Sequence, residues 1–149
     1  MEFNYIGSDL YSIEIIKDDI NSIVINIKED ISIQKIKKET HIITSYSFGT
    51  VNNSFYKSAI NVGIPDSIIM DFAYIFGWDI DFIFDVRNGD KFSVIYEAEY
   101  SEGEKISSGD IVLAEFINKD KKYLAQRFFD KEQGKQYFNE NGENVKKAF

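Results

Sequence analysis

The chain has 149 residues, a formal net charge of −8 and a hydrophobic fraction of 44%, with 13 Phe, 9 Tyr and 1 Trp. That size and apolar content suffice to close a core without disulfides, and 28% charged residues is too few for a disordered polyelectrolyte. An acidic chain with scattered Lys and Arg is ill suited to nucleic acid or anionic lipid, and the absence of cysteine excludes thiolate catalysis and cysteine-based zinc sites.

Met1 to Leu10 has neither a basic start nor an apolar run, so it reads as an N-terminal extension, not as a signal peptide or a membrane span. A single domain is expected over residues 11–149. Its first zone, 11–51, reads as strands. Ile23, Ile25 and Ile27 alternate with Val24, Asn26 and Lys28, the period-two pattern of a half-buried strand. Asp18, Asp19 and Asn21 supply turn chemistry after the Ile13–Ile16 run. Further strands are expected within Ile31–Ile36 and from about His41 to Phe48.

Residues 52–78 read as a helical hairpin. Asn53 or Ser54 can cap the first helix, and Phe55, Ala59 and Val62 fall on one face. Gly63 stands where a left-handed residue ends a helix, and Pro65 where a second one starts. Ile68, Ile69, Phe72, Ile75 and Phe76 then repeat at three and four residues.

Residues 79–149 return to strands. In 79–85 the alternation places Ile80, Phe82 and Phe84 toward a core and Asp79, Asp81 and Asp85 toward solvent. Phe92, Val94, Tyr96, Ala98 and Tyr100 form a second alternating run, and Ile111–Ile117 is apolar enough for a central strand. Ser101-Glu102-Gly103, Asn118-Lys119-Asp120 and Asn141-Gly142 read as turns. The order strands, helical hairpin, strands predicts an α+β domain with a mostly antiparallel sheet, because helical crossovers between strands are missing.

Few residues invite a chemical reading. His41 is the single histidine and lies in a strand-like stretch, whereas a catalytic zinc takes about three protein ligands and usually more than one histidine. It reads as an ordinary strand residue. Asp79, Asp81 and Asp85 are spaced as a cation cluster would be, yet the residues between them are apolar and do not turn as a calcium loop does. A glycosidase carboxylate pair at Asp79 and Asp81 would need a sugar-shaped cleft to go with it. Trp78 could stack on a sugar, but the expected reading is a buried Trp that pins the helical hairpin to the sheet. Arg87-Asn88-Gly89-Asp90 reads as a turn. No catalytic residue and no metal ligand set emerges, and no enzyme activity is expected of this chain.

From Tyr46 onward the sequence resembles a known family. Gly49-Thr50-Val51-Asn52-Asn53-Ser54-Phe55-Tyr56-Lys57-Ser58-Ala59 is similar to a G-x-I-x-x-S-L-Y-x-A-A stretch of M23-type, lysostaphin-like (LytM) peptidoglycan endopeptidases of Gram-negative bacteria. Gly63 to Met70, then Trp78-Asp79-Ile80-Asp81-Phe82 and Arg87 to Glu97, resemble its next segments, W-D-I-D-F and R-x-G-D-x-F-x-V-x-Y-E. The closing Lys147-Ala148-Phe149 resembles the K-A-F that leads into the catalytic domain. The likeness is to the non-catalytic second domain. In that family zinc is held in the following domain by H-x-x-x-D and H-x-H motifs, which this chain lacks, so no cofactor is expected here.

The resemblance implies an accessory role beside a downstream peptidase domain, in the periplasm or cell envelope, with peptidoglycan as a second partner and no membrane insertion by this segment. Trp78, Asp79, Asp81 and Arg87 are the candidate contact residues, toward wall or neighbouring domain. The alternative is a stand-alone peptidoglycan-binding or protein-interaction module without catalysis.

Overall fold

The computed structural model describes residues 1–28 and 30–146. It contains β1 (Glu2–Ile6), β2 (Asp9–Ile16), β3 (Asn21–Asn26), β4 (Ser32–Lys37), β5 (His41–Thr50), α1 (Phe55–Asn61), α2 (Asp66–Phe76), β6 (Lys91–Ser101), β7 (Glu104–Asn118), β8 (Lys121–Asp130) and β9 (Gly134–Phe138). The strands form a four-stranded sheet, β1-β2-β3-β4, and a five-stranded sheet, β5-β6-β7-β8-β9. The fold is therefore α+β and mostly β, with a helical hairpin inserted between β5 and β6.

The chain divides into two compact units, residues 1–42 with 99–106, and residues 43–98 with 107 onward. Within the stretch expected as an N-terminal extension, Glu2–Ile6 pairs antiparallel with β2, setting Phe3 opposite Ile13 and Asn4 opposite Ser12. Short strands of this kind escape notice because five residues carry too little periodicity to stand out.

In the first unit, β1 to β4 pair antiparallel in chain order. Asp18 organises the β2–β3 turn, its Oδ1 accepting from the backbone N–H groups of Ile20 and Asn21. Its carboxyl lies below the usual range, mainly because the Asn21 side chain also donates to it. At the tip of the β6–β7 hairpin, Ser101 is buried and its hydroxyl donates to the Glu39 carbonyl at 2.9 Å. Glu102 and Gly103 turn that hairpin with φ of 52° and 80°, the left-handed pair its two-residue loop requires.

The second unit holds the core. Ser54 caps α1 by accepting from Lys57 N, and Gly63, at φ 84°, ends the helix and redirects the chain toward α2. Val62 departs from the expected buried stripe and is 41% exposed, because α1 stops at Asn61. Ile68, Ile69, Phe72, Ile75 and Phe76 form the buried stripe of α2. They pack with Phe92, Val94 and Tyr96 of β6, Ile111, Ala114 and Phe116 of β7, and Ala125 of β8. Phe55 sits among rings, with centroids 5.0 Å from Phe72, 5.3 Å from Phe92 and 5.7 Å from Phe116. Offset and edge-on rings at such distances add about 0.5–1.5 kcal/mol per pair beyond area burial. β7 is the central strand, as its composition predicts, but Val112, Leu113 and Ile117 on it stay half-buried.

Candidate functional site

Residues 77–90 connect α2 to β6 and carry all four candidate residues. They do not form the strand that alternation suggested. Asp81 Oδ1 accepts from the backbone N–H groups of Ile83 and Phe84 at 2.9 and 3.1 Å, and the Asp81 carbonyl accepts from Asp85 N at 2.7 Å. Asp85 Oδ2 in turn accepts from Asp81 N at 3.0 Å. This reciprocal arrangement resembles a helix capping box and closes one tight turn. The acidic spacing that looked like a cation cluster thus serves local backbone donors. Among the described residues no group of His, Asp and Glu side chains could hold a metal ion. His41 is exposed on β5. The donor set does not fit a zinc site.

A second consequence of the turn concerns burial. Ile80 is 2% exposed and Phe82 packs on the core, but Phe84 is 72% exposed, where alternation had directed it inward. A turn has no two-residue period, so Ile83 and Phe84 both project outward, Ile83 at 83%. Trp78 also departs from expectation. At 48% exposed it is not buried between hairpin and sheet, because it follows the last turn of α2 on the solvent side.

Arg87 and Asp90 close the connection. Arg87 donates from its guanidinium to the Phe84 carbonyl at 2.7 Å, which fixes the exposed turn against the chain that follows. Asp90, read from the sequence only as part of a turn, anchors it. It is 6% exposed and accepts from Arg87 N at 2.8 Å, Asn118 Nδ2 at 2.6 Å and Lys119 N at 3.2 Å. Burial alone would raise its carboxyl. The three hydrogen bonds and the Arg87 charge outweigh that and leave it below the usual carboxylate range. The Asp90 carbonyl accepts from Val51 N, and Gly89 N donates to the Val51 carbonyl, so the turn is stitched to the end of β5. Only the order Asn-Gly-Asp, a turn signal, hints at this locally; the partner Asn118 lies 28 residues away.

The four candidates do not converge. Asp81 and Arg87 belong to the hydrogen-bonded turn. Asp79 lines a polar cleft of about 510 Å³ with Lys121, Tyr123, Asn141 and Glu143. Beside the turn lies an apolar groove of about 380 Å³, walled by Tyr56, Met70, Ala73, Phe82, Ile83 and Val86. Sequence periodicity could not single out this groove, because its walls come from α1, α2 and the turn together. At one end the Tyr56 hydroxyl donates to Asp66 at 2.6 Å, a bond that raises the phenol above its ordinary value.

Known proteins resemble this chain in sequence and in fold. The chain is 35% identical over 113 residues to peptidoglycan DD-endopeptidase ShyC of Vibrio cholerae, an alignment covering 76% of this chain but 25% of that protein. A zinc-containing peptidase from Vibrio cholerae shares the fold with a TM-score of 0.68 at 18% identity, over 99% of this chain and 45% of its own. Csd3 of Helicobacter pylori, in its orthorhombic crystal, does so at 0.72 and 15% identity, over 96% and 39%. The chain thus spans about a quarter of the curated relative and less than half of each solved one. The sequence profile of the Csd3 second domain matches residues 39–149, and the chain belongs to that family, the non-catalytic second domain of M23-type peptidases.

Proposed function

We propose that this chain is an accessory domain of a cell-wall peptidoglycan endopeptidase, positioning or restraining a zinc peptidase domain carried on the same polypeptide. The observation that carries the reading is the family match over 39–149, joined to a relative named as a peptidoglycan DD-endopeptidase of which the chain covers a quarter. Zinc would belong to the peptidase domain, and the site of action would be the periplasm or cell envelope. The groove beside the 81–86 turn is the docking surface this reading uses. Ile83 and Phe84 present apolar surface on a backbone held by Asp81, Asp85 and Arg87, so little conformational entropy is lost when they are covered. A tether supplies the effective concentration that makes such a modest contact sufficient.

A photo-crosslinking side chain at Ile83, in a polypeptide carrying this chain and a peptidase domain, tests the reading. Intrachain crosslinks to the peptidase domain are expected, and Ile83→Ser with Phe84→Ser should change the rate of wall hydrolysis. Zinc-dependent cleavage of cross-linked peptide by this chain alone would overturn it. The polar cleft supports a second reading, a peptidoglycan-binding module, with Asp79, Lys121 and Asn141 as polar contacts and Trp78 nearby in sequence. Retention on insoluble peptidoglycan, lost in Asp79→Asn with Lys121→Ala, would favour it.

A further inference from the structure

The apolar groove walled by α1, α2 and the 81–86 turn is ringed by unequal charge. None of its lining residues is charged. Met70 and Ala73, which wall it, stand four and seven residues after Asp66, so Asp66 belongs to the same face of α2. The Asp66 carboxylate accepts from the hydroxyl of Tyr56, another wall residue, at 2.6 Å. On the turn side, Asp81 Oδ1 accepts from Ile83 N at 2.9 Å, and Asp85 Oδ2 accepts from Asp81 N at 3.0 Å. A carboxylate offers about four lone-pair positions, so each of the three keeps acceptor capacity beyond these contacts. Asp66, Asp81 and Asp85 take part in no ion pair among the described residues. One cation stands with them, Arg87, whose guanidinium donates to the Phe84 carbonyl. Asp71, two residues before Ala73, lies on the far side of α2, where its charge acts on Lys146. Lys57 is about 100° round α1 from Tyr56.

We infer that the groove receives a segment presenting a bulky apolar side chain flanked by Lys or Arg, carried by the peptidase domain of the proposed reading, on which this inference rests. The groove and its rim select different parts of that segment. An uncharged lining of about 380 Å³ takes an apolar side chain and rejects a charged one, which would lose its water there without a partner. The rim, with three carboxylates to one guanidinium, attracts cations on either side of that anchor and opposes an acidic segment. Asp66 and Asp81 are exposed and Asp85 is half-buried, so these charges decide which segment docks more than how tightly it is held. A second copy of the chain suits the groove poorly, because each copy brings a net charge of −8 to the encounter.

The test uses the polypeptide that carries this chain and the peptidase domain, with a photo-crosslinking side chain at Met70, and maps the captured segment by mass spectrometry. That segment should hold Lys or Arg beside an apolar side chain. The crosslink yield should fall at least about twofold between about 0.05 M and about 0.5 M salt, where screening removes the rim's attraction. Asp66→Asn keeps an acceptor for the Tyr56 hydroxyl and removes the charge, and it should lower the yield at low salt about two- to threefold. Asp66→Lys should lower it further, and changing the mapped Lys or Arg to Glu in that variant should restore it. Circular dichroism checks that each variant is folded. A captured segment that is acidic or uncharged, a yield indifferent to salt, or charge reversals that do not compensate overturns the inference and leaves the docking reading standing. Crosslinks found only between two polypeptides overturn it in favour of a second copy. Failure to reach the peptidase domain from Met70 and from Ile83 alike overturns both.

Discussion

Asp90 concentrates more consequence than any other single side chain of the second unit. It accepts two backbone N–H groups and one amide, and holds the end of β7 to the turn that opens β6. Asp90→Ala leaves Arg87 N and Lys119 N without acceptors, while Asn118 keeps the Asp85 carbonyl at 2.9 Å. Part-buried donors left without acceptors make a loss of about 1–3 kcal/mol the expected result, read from urea midpoints at constant slope. The pH dependence follows from the same contacts. The folded carboxyl is depressed, so its contribution is present above the unfolded value near 3.9 and is lost as pH falls through the lower folded value. Wild-type stability should therefore drop below about pH 4, and the part due to Asp90 should be missing from the Asp90→Ala profile. A variant that loses stability equally at every pH in that window would contradict this account.

At the scale of elements, Gly49 and Phe92 show how β5 and β6 fit. A Cβ on Gly49 would lie 2.6 Å from the Phe92 ring, which is 3% exposed and packed against Phe55. Gly49→Ala forces that ring out of place, and overpacking of this kind costs about 1–3 kcal/mol. Pairing it with Phe92→Leu should recover part of the loss in a double-mutant cycle, whereas additive losses would show that the two residues are not coupled.

Elements of this sort were legible where burial follows a simple period. The Phe92, Val94, Tyr96, Ala98 alternation and the Ile68 to Phe76 stripe announce a strand and a helix because each buries one face against the other. The 79–85 segment misled for a physical reason. Ile80, Asp81, Phe82 and Ile83 fit a strand pattern and a capped turn equally, and Asp81 chooses the turn by binding two backbone donors. An Asp followed four residues later by another Asp was the available hint. The exposure of Trp78 and the groove beside Phe84 had no local signal, since both depend on where α2 ends relative to the core.

For the molecule as a whole, the two units are unequal in what holds them. The second unit has a contiguous core drawn from both helices and from β6, β7 and β8, and its Tyr137 hydroxyl is buried against the Ile111 carbonyl at 2.7 Å. Glu97 and Arg127 add a bidentate pair between β6 and β8 at 2.8 and 2.9 Å. Among the described residues the first unit consists of the β1–β4 sheet and the tip of the β6–β7 hairpin, and its buried side chains are Ser12 and Ser101. Local stability tracks buried apolar contact, so amide exchange should separate the two. Amides of α2, β6 residues 92–98 and β7 residues 111–118 should be the slowest, and those of β1 to β4 should exchange faster. The chain cut to residues 39–149 should then keep its cooperative melt, because its core is intact. Loss of that melt would mean that β1 to β4 supply stability that side-chain burial does not reveal.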